Sequence, residues 1–324
     1  MDPIRFGGTD ADSLSSAAEP QPSLRDTLDR AQRLMLEGAA EDGMHLLIDG
    51  LRDVRQRSGS DWPNRVAHEV MPHPVCALVN GCPFTRHAHA QPRGYAGDAE
   101  LMDYIYGLHP ASNAIPDEIS RRIHAVALQS AAPRAVRHRR ERLAAAIDEA
   151  AERHVAPQVL AIAAGHLREW HLSHAARAGA VASFVALDQD PSSVSLVHAE
   201  LGSLGVSAVK GSVRELLAGR RIYRDRTLTY AAGLFDYLPD PTARRLVHLM
   251  HDTLTVGGRM LIANFQHDIR DVGYMESFMR WHLIYRSVQQ TAELFDGLPA
   301  ASRATLTLDE DPARNVVYAQ VMRA

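Results

Sequence analysis

The sequence lacks the features of secreted, disulfide-bonded and membrane-spanning proteins. Two cysteines among 324 residues cannot build a disulfide framework and are typical of a reducing compartment. No apolar run approaches the roughly 20 residues that a bilayer-spanning helix needs. The opening residues, MDPIRFGGTDADSLSS, contain no basic segment followed by an apolar one, so no secretory signal is predicted. We expect a soluble, cytoplasmic globular protein.

An excess of positive charge is also missing. Lys and Arg total 35 against 39 Asp and Glu, which gives a net charge of −4. Nucleic acids and anionic membranes usually require a basic surface, so neither is predicted as a partner. One basic run is interpreted as a solvated helix face: Arg134, Arg137, Arg139, Arg140 and Arg142. The sequence does not indicate the oligomeric state.

Metal-ligating residues occur, but not in a typical metal-binding pattern. Cys76, Cys82, His87 and His89 follow the spacing C-x5-C-x4-H-x-H. Structural zinc sites usually contain a tighter pair of cysteines, two to four residues apart. No metal is predicted.

The N-terminal part of the chain begins with a polar segment and continues with helical patterns. Residues 1–23 are rich in Ser, Asp, Ala, Pro and Gly and are predicted to be a disordered tail. Apolar residues at helical spacing then predict one helix from Leu24 and another after Gly43. Residues 24–155 are expected to form a helical cap region.

Within this cap region the helical pattern is interrupted. Residues 58–97 are rich in Gly, Pro and His and are predicted to be irregular. A short helix is expected over 98–106, and a longer helical region over 116–153 with an interruption at Pro133.

Short apolar segments alternate with helical patterns in the remainder, 156–324. The strand-like segments are 158–163, 183–187, 206–210, 227–232 and 258–263, and the helical patterns are 167–179, 191–204, 213–219 and 240–255. Such alternation is typical of a parallel sheet covered by helices on both faces. Residues 304–308 and 316–322 flank a turn and predict a closing antiparallel hairpin. The predicted fold class is α/β, with a doubly wound, mostly parallel, Rossmann-like sheet of seven strands.

The predicted strand ends carry residues suited to a nucleoside. The first strand ends in Ala164-Gly165, and Asp188 follows the second strand 23 residues later (188 − 165). An acidic residue about 20 residues beyond a glycine turn is placed to bind ribose hydroxyls. Ser212 follows the third strand, where an adenine ring would lie. The alternative is that Asp188 caps the helix before Pro191, a role that Asp190 fills equally well.

The phosphate-binding loops of nucleotide-binding proteins are missing. The stretch from Ala163 to Leu167 does not match G-x-G-x-x-G, and no G-x-x-x-x-G-K-[ST] loop occurs. A ligand with ribose and adenine but no phosphate fits better. S-adenosylmethionine is such a ligand, and we predict it as the co-substrate.

Residues 158–324 resemble the class I S-adenosylmethionine-dependent methyltransferases. The likeness rests on the glycine turn, the acidic second strand end, YAAGLFDYLPD, TVGGRMLIANF and the terminal hairpin. Three longer strings resemble one bacterial branch, described as 3-hydroxy fatty acid methyl ester biosynthesis methyltransferases; they lie at 82–107, 231–238 and 274–287. This resemblance implies a methyltransferase-type fold and transfer to a small-molecule acceptor.

The first motif departs from the usual pattern of that branch. Ala164-Gly165-His166 stands where Cys-Gly-Pro is expected. The variant resembles isonocardicin synthase and azetidine-2-carboxylate synthases, which implies transfer of a 3-amino-3-carboxypropyl group in secondary metabolism or antibiotic biosynthesis, with release of methylthioadenosine. Methyl transfer to a small acid or hydroxy fatty acid is the alternative. A non-catalytic nucleoside-binding module is the second alternative.

Candidate site residues follow from these motifs. The predicted cofactor-binding residues are Arg93, Tyr95, Asp98, Ala164, Gly165, Asp188, Gln189, Ser212, Val213, Ala232 and Gly233. Of these, Arg93, Tyr95 and Asp98 are expected to hold the methionine carboxylate and ammonium. The predicted catalytic residues are Asp236, Tyr237 and His166, and the predicted substrate-binding residues are Asn264, Trp281, Tyr285 and Arg286.

Each group has a structural alternative that the sequence leaves open. Asp98 also suits a helix cap, and Arg93 a surface position. His166 also suits loop packing, and Tyr237 also suits packing of the helix that follows. Trp281 and Tyr285 would share one face of a helix, where they would serve packing instead.

Overall fold

A computed structural model of the protein describes residues 22–110 and 115–324. Its helices are α1 (Leu24–Leu36), α2 (Ala40–Ser58), α3 (Trp62–Arg65), α4 (Val75–Val79), α5 (Pro83–Ala90), α6 (Ala99–Ile105), α7 (Glu118–Leu128), α8 (Ala131–Arg153), α9 (His174–Arg177), α10 (Pro191–Leu201), α11 (Val213–Leu217), α12 (Asp240–Thr253), α13 (Val272–Phe278), α14 (Val288–Glu293) and α15 (Ala300–Arg303). Its strands are β1 (Gln158–Ile162), β2 (Ser183–Asp188), β3 (Val206–Lys210), β4 (Arg226–Ala231), β5 (Leu254–Phe265), β6 (Thr307–Glu310) and β7 (Val316–Met322).

The seven strands form one sheet in the order β3-β2-β1-β4-β5-β7-β6. The five strands from β3 to β5 pair in parallel, whereas β7 pairs antiparallel with both β5 and β6. The sheet is therefore mixed. The prediction of a mostly parallel sheet is wrong in this respect. The hairpin causes the difference, because its five-residue turn returns the chain antiparallel. The Asp311 carboxylate fixes this turn by accepting the N–H groups of Asn315 and Val316.

The central strands of the sheet are buried on both faces, as expected for a doubly wound fold. Alternate residues of a strand point to opposite faces. On β1, Val159 and Ala161 join a cluster with apolar residues of the N-terminal helices, including those of α8. Leu160 and Ile162 join a second cluster with residues of α12. The strands are therefore near-continuous apolar runs, as parallel strands covered on both sides usually are.

The N-terminal region contains more helix than its composition predicts. Residues 58–97, predicted to be irregular, include α3, a π-helical turn over Val66–Val70, α4 and α5. These helices are only one or two turns long, so a helical period is hard to detect among the prolines and glycines. The break between α7 and α8 lies at Gln129–Ser130, because Pro133 occupies the first turn of α8, where its missing N–H is tolerated.

The first helix begins at a well-defined cap. Ser23 accepts the N–H of Asp26, and the Asp26 carboxylate accepts the N–H of Ser23. The predicted tail over 1–23 otherwise lies outside the described residues, which begin at 22.

The segment after β1 is not the helix that the sequence predicts over 167–179. Arg168–His171 forms a single 3-10 turn, and α9 is only four residues long. Ala163, Gly165 and Leu167 all have φ between 52° and 54°, a left-handed conformation that interrupts regular helix formation. No helix N-terminus therefore follows β1 directly.

The N-terminal helices are docked onto the segment that follows β5. Glu276 of α13, buried, accepts two hydrogen bonds from the Arg55 guanidinium at 2.6 and 2.8 Å and one from the Trp62 indole at 2.9 Å. Asp271 accepts the N–H of Ala132 at the start of α8. Helix α8 ends at Arg153 and β1 begins at Gln158, and residues on both sides of this point share one buried cluster.

No helix among the described residues has both the length and the apolarity to cross a membrane.

Removing the Arg55 side chain tests this docking. In Arg55→Met, the Glu276 carboxylate loses its cationic partner within the protein, so we expect the free energy of unfolding to fall by about 3 kcal/mol. Urea unfolding measures the loss. Arg270→Met is the matched control, because Arg270 also joins the segment after β5 to α2, through Asp49, but both partners are about half exposed. That control should lose no more than about 1 kcal/mol. Equal losses in the two variants would contradict the account.

Candidate functional site

A cavity lies at the carboxyl edge of the sheet, where strand order reverses between β1 and β4. Ligands of doubly wound sheets bind at such switch points. Residues following β1, β2, β3 and β4 line it, with Phe265 at the end of β5. The N-terminal region supplies the opposite wall through Tyr95, Gly97, Ala99, Met102, Tyr106, Arg139 and Leu143. Among the predicted site residues, the cavity brings together Tyr95, Ala164, Gly165, His166, Asp188, Gln189, Ser212, Val213, Ala232, Gly233, Asp236, Tyr237 and Trp281.

Asp188 joins the ends of three strands. Its carboxylate accepts the N–H of Gly165 at 2.7 Å and that of Asp190 at 2.9 Å. Its carbonyl accepts the N–H of Gly211, just after β3, at 2.8 Å. Burial raises the pKa of Asp188, while the hydrogen bond from Gly165 opposes that rise. Asp188 therefore sets the shape of the cavity floor.

The alternative role of Asp188 as a helix cap falls to Asp190. The Asp190 carboxylate accepts the N–H groups of Ser192 and Ser193 at the start of α10. Asp190 is therefore the cap of this helix, and the Asp188 carboxylate lines the cavity instead.

The glycine at the end of β1 is required by the close approach of α6. Gly165 has φ 54°, and a Cβ on it would lie 3.3 Å from the Ala99 side chain. A larger residue would meet both a strained backbone and the wall of the cavity.

A buried polar group lies at the ends of β4 and β5. Asp236 accepts the N–H of Phe265 at 2.7 Å, and Trp281 donates its indole N–H to the Tyr237 hydroxyl at 2.8 Å. Burial raises the pKa of Asp236 to about 6, although the guanidinium of Arg139 pulls it down. Burial also raises the pKa of Tyr237 well above its usual range, so Tyr237 is a neutral phenol. Asp236 is thus a carboxyl group poised to exchange a proton near neutral pH.

His166 is held by an acidic partner that the sequence did not indicate. Its Nδ1 lies 2.8 Å from the Asp103 carboxylate, which also pairs with Arg168. Burial alone would raise the pKa of Asp103, but the bonds from Arg168 and His166 lower it to about 2. The other ring nitrogen of His166 is buried without a hydrogen-bond partner among the described residues. His166 therefore lines the cavity while its Nδ1 is held by a buried carboxylate.

Two of the three residues predicted to clamp the methionine moiety do not line the cavity. Arg93 lies against Glu100 and Asp190. Asp98 is fully buried, caps α6 through the N–H of Leu101 and hydrogen-bonds His87. Only Tyr95 faces the cavity.

Three of the four predicted substrate-binding residues also lie elsewhere. Arg286 donates to the carbonyls of Phe235 and Leu238 and to the Asn264 side chain, so it braces the turn after β4. Tyr285 is not among the lining residues, and its hydroxyl is buried without a partner in the described part of the chain. Trp281 alone lines the cavity. Residues 281–287 are not helical, so the shared helix face that was the alternative does not form.

Arg139 is a cavity residue that the sequence analysis missed. It was interpreted as part of a solvated helix face, yet it is only 7% exposed and lines the cavity. Its guanidinium lies 6.0 Å from the centre of the Phe265 ring. The apolar residues Val136 and Leu143 stand three and four positions away and were a signal that this helix face is buried.

A possible cation-binding group occurs away from the cavity, formed by His87, Asp98 and Glu100. Its members are already engaged, since His87 hydrogen-bonds Asp98, and Glu100 pairs with Arg93. Of the cysteines considered as ligands, Cys82 contacts His124 instead.

Comparison with known proteins supports the fold. No family model and no curated protein matches the sequence. Among solved structures, a possible exported protein from Bordetella parapertussis is similar, with a TM-score of 0.54 and 16% identity over 88% of this chain and 96% of that chain. At this identity the likeness shows the fold alone.

Two further similar structures are described as methyltransferases, both with TM-scores below 0.5. The S-adenosylmethionine-dependent methyltransferase SibL in its apo form has a TM-score of 0.46 and 14% identity over 74% of each chain. Magnesium protoporphyrin IX methyltransferase from Synechocystis PCC 6803 with bound SAH has a TM-score of 0.43 and 7% identity over 60% of this chain and 87% of that chain. The function therefore has to be argued from the site itself.

The titration of Asp236 gives a test of the site electrostatics. Between about pH 4 and pH 6 the folded protein retains a proton that the unfolded chain releases. The contribution of Asp236 to the free energy of unfolding should therefore fall as pH rises through this window, by up to about 3 kcal/mol. Asp236→Asn keeps an oxygen for the Phe265 N–H and should remove this contribution, whereas those of Asp188 and Glu169, whose pKa values burial also raises, stay in place.

Urea unfolding at pH 4.5 and pH 7 compares the wild type with this variant. Asp252→Asn, at an exposed position, is the control and should behave as the wild type does. The same pH dependence in the wild type and Asp236→Asn would show that Asp236 does not titrate in this range.

Proposed function

We propose that the protein is an S-adenosylmethionine-dependent transferase acting on a small-molecule acceptor. The observation that carries the proposal is the placement of Asp188. Its carboxylate ends β2 beside Gly165, in a cavity at the switch point of a doubly wound sheet. A carboxylate in this position suits the two hydroxyls of a ribose.

The segment after β1 favours a ligand without phosphates. A pyrophosphate is usually held by a glycine-rich turn and the N-terminus of the helix that follows. Here one glycine, Gly165, is followed by His166, and Arg168–His171 forms a 3-10 turn in place of a long helix. The cavity floor thus has the carboxylate that would bind a ribose in a nucleotide site, but it lacks the loop and helix N-terminus that would bind phosphates.

Three carboxyl groups line the cavity together with the guanidinium groups of Arg139 and Arg168, and these carboxyls suit a positively charged part of a ligand. They belong to Asp188, Asp236 and Glu169, and burial raises the pKa of each. A positive charge in the cavity would stabilise their ionised forms. A sulfonium carries such a charge, whereas a neutral nucleoside does not.

The proposed chemistry is a displacement at a carbon attached to the sulfonium. The acceptor atom forms the new bond to carbon, the carbon–sulfur bond breaks, and its electron pair leaves with the neutral thioether. The chain's own part is to align the acceptor, exclude water and remove a proton where the acceptor carries one. Asp236 is proposed as the proton acceptor, with Tyr237 and Trp281 as contacts for the acceptor molecule.

The transferred group is proposed to be 3-amino-3-carboxypropyl. This part rests on the likeness of Ala164-Gly165-His166 to the first motif of isonocardicin synthase and azetidine-2-carboxylate synthases. Methyl transfer, as in the neighbouring structures described as methyltransferases, uses the same cavity with a different carbon in line.

Binding of the co-substrate tests the role of Asp188. We expect calorimetry to show micromolar-range binding of S-adenosylmethionine, weakened by about 1–3 kcal/mol in Asp188→Ala because charge-assisted hydrogen bonds to the ribose are lost. Asp190→Asn is the control, since it keeps the cap of α10 and does not line the cavity. Unchanged binding in folded Asp188→Ala would remove the assignment, and no binding by the wild type would refute the proposed class.

The by-product identifies the carbon that is attacked. Prolonged incubation with S-adenosylmethionine and candidate acceptors, analysed by mass spectrometry, should give methylthioadenosine at a level that Asp188→Ala reduces. Adenosylhomocysteine in its place would establish methyl transfer. Binding with neither product would favour a non-catalytic nucleoside-binding module.

A further inference from the structure

Arg139 is a buried cation without an anionic partner in the described part of the chain. The side chain projects from α8, and the residue is 7% exposed. Its one hydrogen-bond contact there is with the thioether sulfur of Met102 at 3.8 Å, which is weak. No described carboxylate lies within 4.0 Å of its guanidinium nitrogens. By contrast Arg168, which also lines the cavity, pairs with Asp103 and Glu200.

Two buried carboxyl groups that interact electrostatically with Arg139 have other hydrogen-bond partners. Asp236 accepts the N–H of Phe265, and Glu169 accepts the hydroxyl of Tyr230 at 2.7 Å. Both interact with Arg139 only over a longer distance. An unpaired charge is expensive to bury, so an anionic ligand that reached this guanidinium would offset part of that cost.

The position of Arg139 indicates which part of the cavity that ligand occupies. A Cβ on Gly233, after β4, would lie 3.6 Å from its Nη2, and the Phe265 ring at the end of β5 is next to it. Asp236 and Tyr237 lie on this side of the cavity, whereas Asp188 lies on the other side of β1. A planar guanidinium at this position can bind a carboxylate through a bidentate pair of hydrogen bonds.

We propose that Arg139 is the anion-binding residue of the cavity and that its ligand is a carboxylate. Two molecules of the proposed reaction carry one: the acceptor, if it is a carboxylic acid, and the methionine moiety of the co-substrate. The second source rests on the proposed function, whereas the first requires only the cavity. If the methionine moiety is the source, Arg139 takes the carboxylate-binding part of the role that the sequence assigned to Arg93, Tyr95 and Asp98.

The test uses the full chain with Arg139 replaced by methionine, which retains an unbranched apolar side chain without the charge. Arg142→Met is the matched control: it removes one charge from the same helix, where Arg142 pairs with Glu149 outside the cavity. Arg139→Lys keeps the positive charge but not the planar guanidinium that makes two parallel hydrogen bonds, so it should recover only part of the lost binding. Thermal unfolding confirms that each variant is folded.

The co-substrate arm compares two ligands by calorimetry. Adenosylhomocysteine and methylthioadenosine share the nucleoside and the thioether, but only the first has a carboxylate. Arg139→Met should weaken adenosylhomocysteine at least about 10-fold and leave methylthioadenosine unchanged if the methionine moiety is the source.

The acceptor arm uses benzoate as the probe, with neutral benzamide as its control, in titrations followed by NMR. If the acceptor is the source, adenosylhomocysteine binding is unchanged, and benzoate binding falls at least about 10-fold in Arg139→Met but not in Arg142→Met. No change in either arm in folded Arg139→Met would overturn the inference. A wild type that binds neither nucleoside would refute the proposed function alone, since the benzoate arm would still test Arg139.

Discussion

The hydrogen bond between the Asp188 carboxylate and the N–H of Gly165 is the contact on which the cavity depends. It ties the end of β2 to the loop after β1, and the Asp188 carbonyl ties the end of β3 to the same point. The loop has three residues in the left-handed region, a conformation that an unsupported chain would adopt only at some cost. One buried side chain thus shapes the floor of the cavity and presents a carboxylate to a ligand.

The second wall belongs to the N-terminal helices, so the site is completed only when the two parts of the chain are docked. The buried Glu276, held by Arg55 and Trp62, fastens this region to the segment after β5. Through that docking α8 brings Arg139 to the ends of β4 and β5. In the proposed function, the sheet supplies the partner for the nucleoside, and the helices supply the charge on the acceptor side.

The sequence predicted the parts of this arrangement that depend on local pattern. Short apolar segments, a glycine turn and an acidic strand end lie close together along the chain, and parallel strands place their carboxyl ends at one edge. Asp188 and Gly165 could therefore be located without coordinates. The helix after β1 could not, because its interruption depends on backbone conformations and burial specific to that loop.

The errors at the other wall have a different physical origin. The RGYAGD segment contains groups that suit a carboxylate and an ammonium, but these groups already have partners within the protein. Asp98 caps α6, and Arg93 pairs with Asp190. Arg139 was placed in solvent because a run of arginines resembles a charged helix face. The apolar residues Val136 and Leu143 indicate that this helix face is buried, but the contacts that place Arg139 in the cavity are with Gly233 and Phe265, which lie far away in the sequence.

A crystal structure of the protein with adenosylhomocysteine would test the central claim most directly. The account predicts the adenosine across the carboxyl ends of β1, β2 and β3, with both ribose hydroxyls within hydrogen-bond distance of the Asp188 carboxylate. The thioether should point toward Gly233 and Asp236. A nucleoside bound away from the switch point, or a ribose with no contact to Asp188, would contradict it.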